Sequence, residues 1–101
     1  MKFSIVVPLF NKEKHIVRAI NSILKQTHQD FEILIIDDGS TDLSYNKAIS
    51  IKDSRIKVYR KKNEGVSSAR NFGMQHSTCE YTAFLDADDE WKPMFLESKN
   101  D

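Results

Sequence analysis

Four short apolar runs alternate with helix-period stretches along this chain, and that alternation restricts the fold more than any other feature. Residues 3–7, Phe-Ser-Ile-Val-Val, form a β-branched run that is expected to end at Pro8, because proline cannot continue a central strand. Ile16, Ala19, Ile20, Ile23 and Leu24 then recur with the period of an amphipathic helix, with Asn11 placed to cap its start. Residues 31–36 read as a second buried strand. They are stopped by Asp37-Asp38-Gly39-Ser40-Thr41-Asp42, a cluster with the composition of a turn and of a helix start. A weaker helix is expected over 43–51, and Ile56-Lys57-Val58-Tyr59 alternates like a half-exposed third strand. After a turn at Asn63-Glu64-Gly65, residues 66–75 read as a helix with Val66, Ala69, Phe72 and Gly73 toward one side. Residues 81–85 give a fourth strand, and a last helical start follows Pro93 with Met94, Phe95 and Leu96. Strand and helix in strict alternation predict an α/β fold, a Rossmann-like and mostly parallel sheet covered by helices on both faces. With 101 residues and no internal repeat or linker, the whole of 1–101 is expected to be one domain.

Charge narrows the partners. Fifteen basic and fifteen acidic side chains cancel, so no global field attracts a polyanion and nucleic acid is not an expected partner. A single cysteine, Cys79, excludes an internal disulfide and fits a reducing compartment. No run approaches the ~18 apolar residues of a bilayer span, and residues 3–8 are too short for a signal-peptide core. The expectation is a cytoplasmic protein, reaching the inner face of a membrane only through regions absent here. A helix begun at Pro93 has room for barely two turns before the polar ending Ser98-Lys99-Asn100-Asp101, which points to a truncated chain.

In open α/β sheets, ligands bind outside the carboxyl ends of the strands. This sequence places Pro8-Leu9-Phe10-Asn11 after strand one, Asp37 and Asp38 after strand two, and Asp86, Asp88 and Asp89 after strand four. Five carboxylates on one edge repel one another unless a cation neutralises them. Oxygen ligands without histidine or cysteine favour Mg²⁺ or Mn²⁺ over zinc, and such ions share their coordination with substrate phosphates. The edge therefore reads as a metal–diphosphate site. Asp37-Asp38-Gly39-Ser40 is also explicable as a turn with a helix cap. Three carboxylates in four residues directly after a buried strand are harder to explain structurally.

Only three glycines exist, and none forms a dinucleotide fingerprint or a P-loop. Phosphates must then be met by the metal and by single basic groups. Arg70 is the candidate, in a helix that starts near the same edge, although position alone favours a solvated helix face. His15, His28 and His76 share no ligand spacing, and Cys79 has no partner base in the sequence. Arg55, Lys57, Arg60, Lys61 and Lys62 make a basic run typical of a protected edge strand. Trp91 fits the core, or a wall of the site.

Taken together, these segments resemble the family 2 glycosyltransferases of the GT-A fold, in their N-terminal, nucleotide-sugar-binding portion. The likeness rests on Ser4-Ile5-Val6-Val7-Pro8-Leu9-Phe10-Asn11, on Ile20 through Gln26-Thr27, and on Ile36-Asp37-Asp38-Gly39-Ser40-Thr41-Asp42. It continues in Asn63-Glu64-Gly65-Val66-Ser67-Ser68-Ala69-Arg70-Asn71 and Phe84-Leu85-Asp86-Ala87-Asp88-Asp89. The resemblance implies an enzyme that transfers a sugar from a nucleoside-diphosphate donor, such as a UDP-sugar, to a glycan or lipid-linked acceptor, with metal assistance and inversion. It implies that Pro8 and Phe10 line the base pocket and that Asp38 accepts a hydrogen bond from the base, with Asp37 as a neighbouring candidate. Asp86 and Asp88 match the family's DxD, Asp88 as the direct metal ligand and Asp86 near the ribose. Asp89 would stand behind them, and Arg70 would approach the diphosphate. Family members continue into an acceptor-binding half that carries the catalytic base, so the base is expected beyond Asp101. The alternative is a non-catalytic nucleotide-sugar-binding fragment. A phosphatase with its nucleophile in DxD would place that motif on the first strand, and a phospho-acceptor receiver domain needs an acidic pair after strand one. This sequence has neither.

Overall fold

The computed structural model describes residues 1–100, the side chain of Asn100 excepted. Four strands, β1 (Phe3–Leu9), β2 (Phe31–Asp38), β3 (Ile56–Lys61) and β4 (Tyr81–Phe84), form one sheet in the order β3-β2-β1-β4. Every pairing is parallel. Helices α1 (Ile16–Leu24), α2 (Ser44–Ser50) and α3 (Val66–His76) make the crossovers. The two central strands are buried along their whole length, as sheets covered on both faces require. Odd-numbered residues of β1 and β2 pack with Ile16, Ala19, Ile20 and Ile23 of α1 and Ala48 of α2. Val6, Leu34 and Ile36 point the other way and pack with Ala69 and Phe72 of α3. The predicted helices on both faces are thus present. α3 lies so close to β1 that a Cβ on Gly73 would overlap the methyl groups of Val6.

Three expectations need correction. First, β1 does not stop at Pro8; it runs through to Leu9, with Pro8 opposite Ile36 of β2. β4 pairs with β1 only as far as Val6, whose carbonyl accepts the N–H of Leu85. Pro8 shares the alternation of Val6, so its missing N–H faces the side where β4 has already ended, and no ladder bond is lost. Second, Asn11 does not cap α1. It adopts a left-handed φ of 49°, and its side-chain oxygen accepts the backbone N–H groups of Thr41 (2.8 Å) and Asp42 (3.3 Å). Third, residues 93–96 form turns, followed by a short 3₁₀ helix (Glu97–Asn100). This segment is held against α1 by a fully used buried glutamine. Gln26 Nε2 donates to the carbonyl of Lys92 (2.7 Å) and its Oε1 accepts the N–H of Leu96 (3.0 Å). Leu96 is completely buried as a result.

Lys57, Arg60 and Lys61 of the basic run lie on β3, an edge strand, with Arg55 just before it, and these four meet carboxylates. Arg55 pairs with Asp53, Lys57 with Glu32, Arg60 with Asp37, and Lys61 with Asp38 and Glu64. Opposite charges side by side across a sheet stabilise it, and they blunt the open edge.

Candidate functional site

The carboxyl ends of β1 and β2, the N-terminus of α3 and the loop after β4 enclose a cleft of about 570 Å³. Pro8, Leu9, Phe10 and Lys12 form its β1 side, Asp38 its floor, and Asn63, Gly65, Val66, Ala69 and Arg70 its α3 side. Asp86, Ala87 and Asp88 close it. Pro8, Phe10, Asp38, Arg70, Asp86 and Asp88 all came from the sequence, and the tertiary structure brings them to one place.

Asp38 is 3% exposed and does structural work. Its Oδ1 accepts the N–H of Glu64 (3.0 Å) and the ammonium of Lys61 (3.1 Å), and its Oδ2 accepts the N–H of Gly65 (2.9 Å). These bonds pin the turn that opens α3. A carboxylate oxygen has two lone-pair positions, so one on Oδ2 is not taken by these bonds. Burial disfavours the charged form of Lys61, but Glu64 and Asp38 outweigh it and hold its pKa above the ordinary lysine value. Gly65 has φ of 101°, a region that suits glycine, which lets its N–H turn toward Asp38.

Asp37 is the predicted site residue that the structure leaves out of the cleft. Strand alternation points it to the opposite face of β2, where it is fully buried. Neither of its oxygens has a hydrogen-bond partner among the described residues, and its counter-charge is Arg60 at 3.4 Å. That guanidinium also lies over the ring of Tyr45 and donates to the carbonyl of Ser40.

Asp86 and Asp88 stand exposed at the rim, each beside a cation. Arg70 Nη2 donates to Asp86 Oδ1 at 3.1 Å, and Lys12 Nζ is 3.6 Å from Asp88 Oδ2. Asp89 is exposed and accepts the N–H of Glu90; it does not line the cleft. Trp91 also lies outside it, stacked on Phe95 at 4.4 Å. Lys12 and Asn63 escaped the sequence reading. The turn composition at 63–65 was a usable signal for Asn63, whereas nothing local marked Lys12.

Residues 4–98 match the family model described as Glycosyl transferase family 2. The chain belongs to that family. An uncharacterized glycosyltransferase of Rickettsia conorii is 53% identical over 87% of this chain and 15% of its own length. The Escherichia coli protein WfgD, named as a UDP-Glc:alpha-D-GlcNAc-diphosphoundecaprenol beta-1,3-glucosyltransferase, is 39% identical over 87% of this chain and 35% of its own. The crystal structure of S. aureus TarS 1-349 in complex with UDP-GlcNAc superposes with a TM-score of 0.91 at 31% identity, covering 99% of this chain and 30% of that one. The sheet and helices described above are therefore the GT-A architecture. The chain spans about 15% of the length of the Rickettsia relatives, about a third of WfgD or of TarS 1-349, and 19% of the TarS chain in a further crystal structure.

Among the described residues of this family 2 chain, no group of three or more His, Cys, Asp or Glu is arranged to hold a metal ion. Asp86 and Asp88 offer two exposed, all-oxygen donors at the mouth of the cleft. That set fits a Mg²⁺- or Mn²⁺-type ion which draws its remaining ligands from phosphates and water. No helix of the described residues is long and apolar enough to cross a membrane.

Proposed function

We propose that this chain forms the donor-binding part of a glycosyltransferase that moves a sugar from a UDP-sugar to a glycan or lipid-linked acceptor, with metal assistance and inversion. The reaction would serve polysaccharide assembly in the cytoplasm or at the inner face of a membrane. The observation that carries the reading is Asp38, a buried carboxylate with one spare lone pair at the floor of a cleft whose rim bears Asp86 and Asp88. The UDP-GlcNAc complex of TarS and the UDP-Glc specificity in WfgD's name support uridine as the base.

In this reading the base lies between Pro8 and Phe10, and a base N–H donates to Asp38 Oδ2. A charge-assisted bond of this kind contributes about 1.5–3 kcal/mol. Asp86 meets the ribose side of the donor and Arg70 the diphosphate. Asp88, with Asp86, would hold the ion. When bound, the ion supplies Lewis-acid stabilisation of the departing nucleoside diphosphate. No residue of 1–101 is assigned as the catalytic base.

Calorimetry of the 101-residue chain with UDP, GDP and uridine, with and without Mn²⁺, tests the reading. UDP is expected to bind more tightly than GDP, and Mn²⁺ to strengthen the binding. Equal, weak, metal-independent affinity for all three would overturn it.

A further inference from the structure

Lys12 is in the cleft for a reason that its sequence position does not reveal. Its backbone is fixed on both sides: the N–H donates to Ser44 Oγ at 2.8 Å, and the carbonyl accepts the N–H groups of His15 and Ile16 at 3.0 Å. The neighbouring Asn11 is held in turn by Ser40 Oγ on its N–H and by Thr41 and Asp42 on its side chain. The loop after β1 is therefore latched to the loop after β2, and the root of the Lys12 side chain is anchored. Its tip is not. The ammonium stands 3.6 Å from Asp88, beyond hydrogen-bond reach, with both side chains nearly half exposed. Such a pair is loose and easily exchanged. The other rim pair differs, because Arg70 hydrogen-bonds Asp86 at 3.1 Å.

We infer that Lys12 is a built-in counter-ion for Asp88 that hands over to the donor. Without ligand, its ammonium balances the carboxylate that a divalent ion would otherwise neutralise. When a nucleoside diphosphate enters, the ammonium leaves Asp88 for the phosphate oxygens, and the carboxylate is freed for the cation. The fixed backbone and four-carbon stem permit that swing without moving the loop. Lys12 therefore competes with the metal while the cleft is empty and assists the diphosphate once it is filled. This rests on the reading of the cleft as a nucleoside-diphosphate site.

The two roles predict effects of opposite sign from one substitution. Lys12→Met removes the charge and keeps most of the stem. Titration with Mn²⁺ alone, followed by electron paramagnetic resonance of the free ion, is expected to show about three- to tenfold tighter binding than the wild type, because a cation beside the site has been deleted. Calorimetry with UDP in EDTA is expected to show about three- to tenfold weaker binding, for the loss of one phosphate contact. Uridine, which has no phosphate, should bind the variant and the wild type equally, which controls for the base pocket and for folding. Lys12→Arg should keep the UDP affinity within about threefold. Mn²⁺ and UDP affinities both unchanged in Lys12→Met would overturn the inference, as would weaker binding of Mn²⁺. If the wild type itself fails to bind UDP, the nucleotide reading falls, while the Mn²⁺ titration still decides whether Lys12 screens Asp88.

Discussion

Asp37 and Asp38 are consecutive residues whose carboxylates lie on opposite faces of β2. Asp38 joins Leu34 and Ile36 on the α3 face and reaches the cleft, where its oxygens take two backbone N–H groups and the Lys61 ammonium. Asp37 joins Ile33 and Ile35 on the α1–α2 face, fully buried with Arg60 at 3.4 Å. The register aligns Asp37 with Arg60 and Asp38 with Lys61, so each acid meets a base on the adjacent edge strand.

The two aspartates should therefore separate in a binding experiment. Asp38→Ala removes the spare acceptor and releases the turn at 63–65, so UDP affinity should fall by about 10- to 100-fold. Stability should also fall, by about 1–3 kcal/mol, because the N–H groups of Glu64 and Gly65 lose their acceptor. Asp37→Asn should leave UDP affinity within about twofold of the wild type. Calorimetry on both variants checks this; a larger loss from Asp37→Asn than from Asp38→Ala would reverse the assignment.

Metal dependence should reside in Asp88. Asp88→Ala is expected to abolish the gain in UDP affinity on adding Mn²⁺ and to leave a weak, base-driven affinity. Asp86→Ala should reduce that gain and also free Arg70 from its hydrogen-bonded partner. Titrations of UDP at several Mn²⁺ concentrations distinguish these outcomes, and a full Mn²⁺ response in Asp88→Ala would remove Asp88 from the ion.

Acid stability should depend on Glu32, at the opposite end of the sheet from the cleft. Burial alone would raise its pKa. Hydrogen bonds from Ser4, the Thr78 N–H, Lys57 and the Thr78 hydroxyl outweigh burial and lower it to about 2. The folded protein thus holds this carboxylate deprotonated more firmly than the unfolded chain does. Its stabilisation is complete above the ordinary glutamate pKa of 4.5 and is lost as pH falls through the folded value near 2. Across that window, unfolding should take up about one extra proton from this group. Denaturant melts between pH 5 and 2 should be steeper in pH for the wild type than for Glu32→Gln. Parallel pH profiles would show that Glu32 is not the responsible group.

Packing of α3 on the sheet should tolerate no side chain at position 73. Gly73→Ala places a methyl into the methyl groups of Val6, which is itself fully buried. Overpacking of this kind costs about 1–3 kcal/mol. Val6→Ala in the same chain should recover part of the loss, and a double-mutant cycle measures that coupling. Strictly additive losses would place the strain elsewhere.

Local pattern located every strand and the helices α1, α2 and α3, through continuous apolar runs for β1 and β2 and through periodicity for β3 and α1, because burial is recorded in a few neighbouring residues. The alternation of β3 and the stripe of α1 are written in the chain. The composition of Asp86-Ala87-Asp88-Asp89 marked a candidate site in the same way, without geometry. Pro8 was misjudged because its tolerance depends on where β4 ends, some 75 residues later in the chain, level with Val6. Asn11 looked like a cap because its real partners, Thr41 and Asp42, lie across a strand and a helix.

The sequence by itself determined the order of elements, the buried stripe of α1 and the acidic residues at the strand ends. Each of these follows from the residue types and their spacing. Only the tertiary structure decided that Asp38 enters the cleft while Asp37 does not, and that Asn63 and Lys12 line it. It also decided that Gln26 anchors residues 92–96. Those outcomes depend on strand register and on contacts between segments distant in the chain. No local pattern encodes them, because each is set by where the rest of the sheet has already placed its partner.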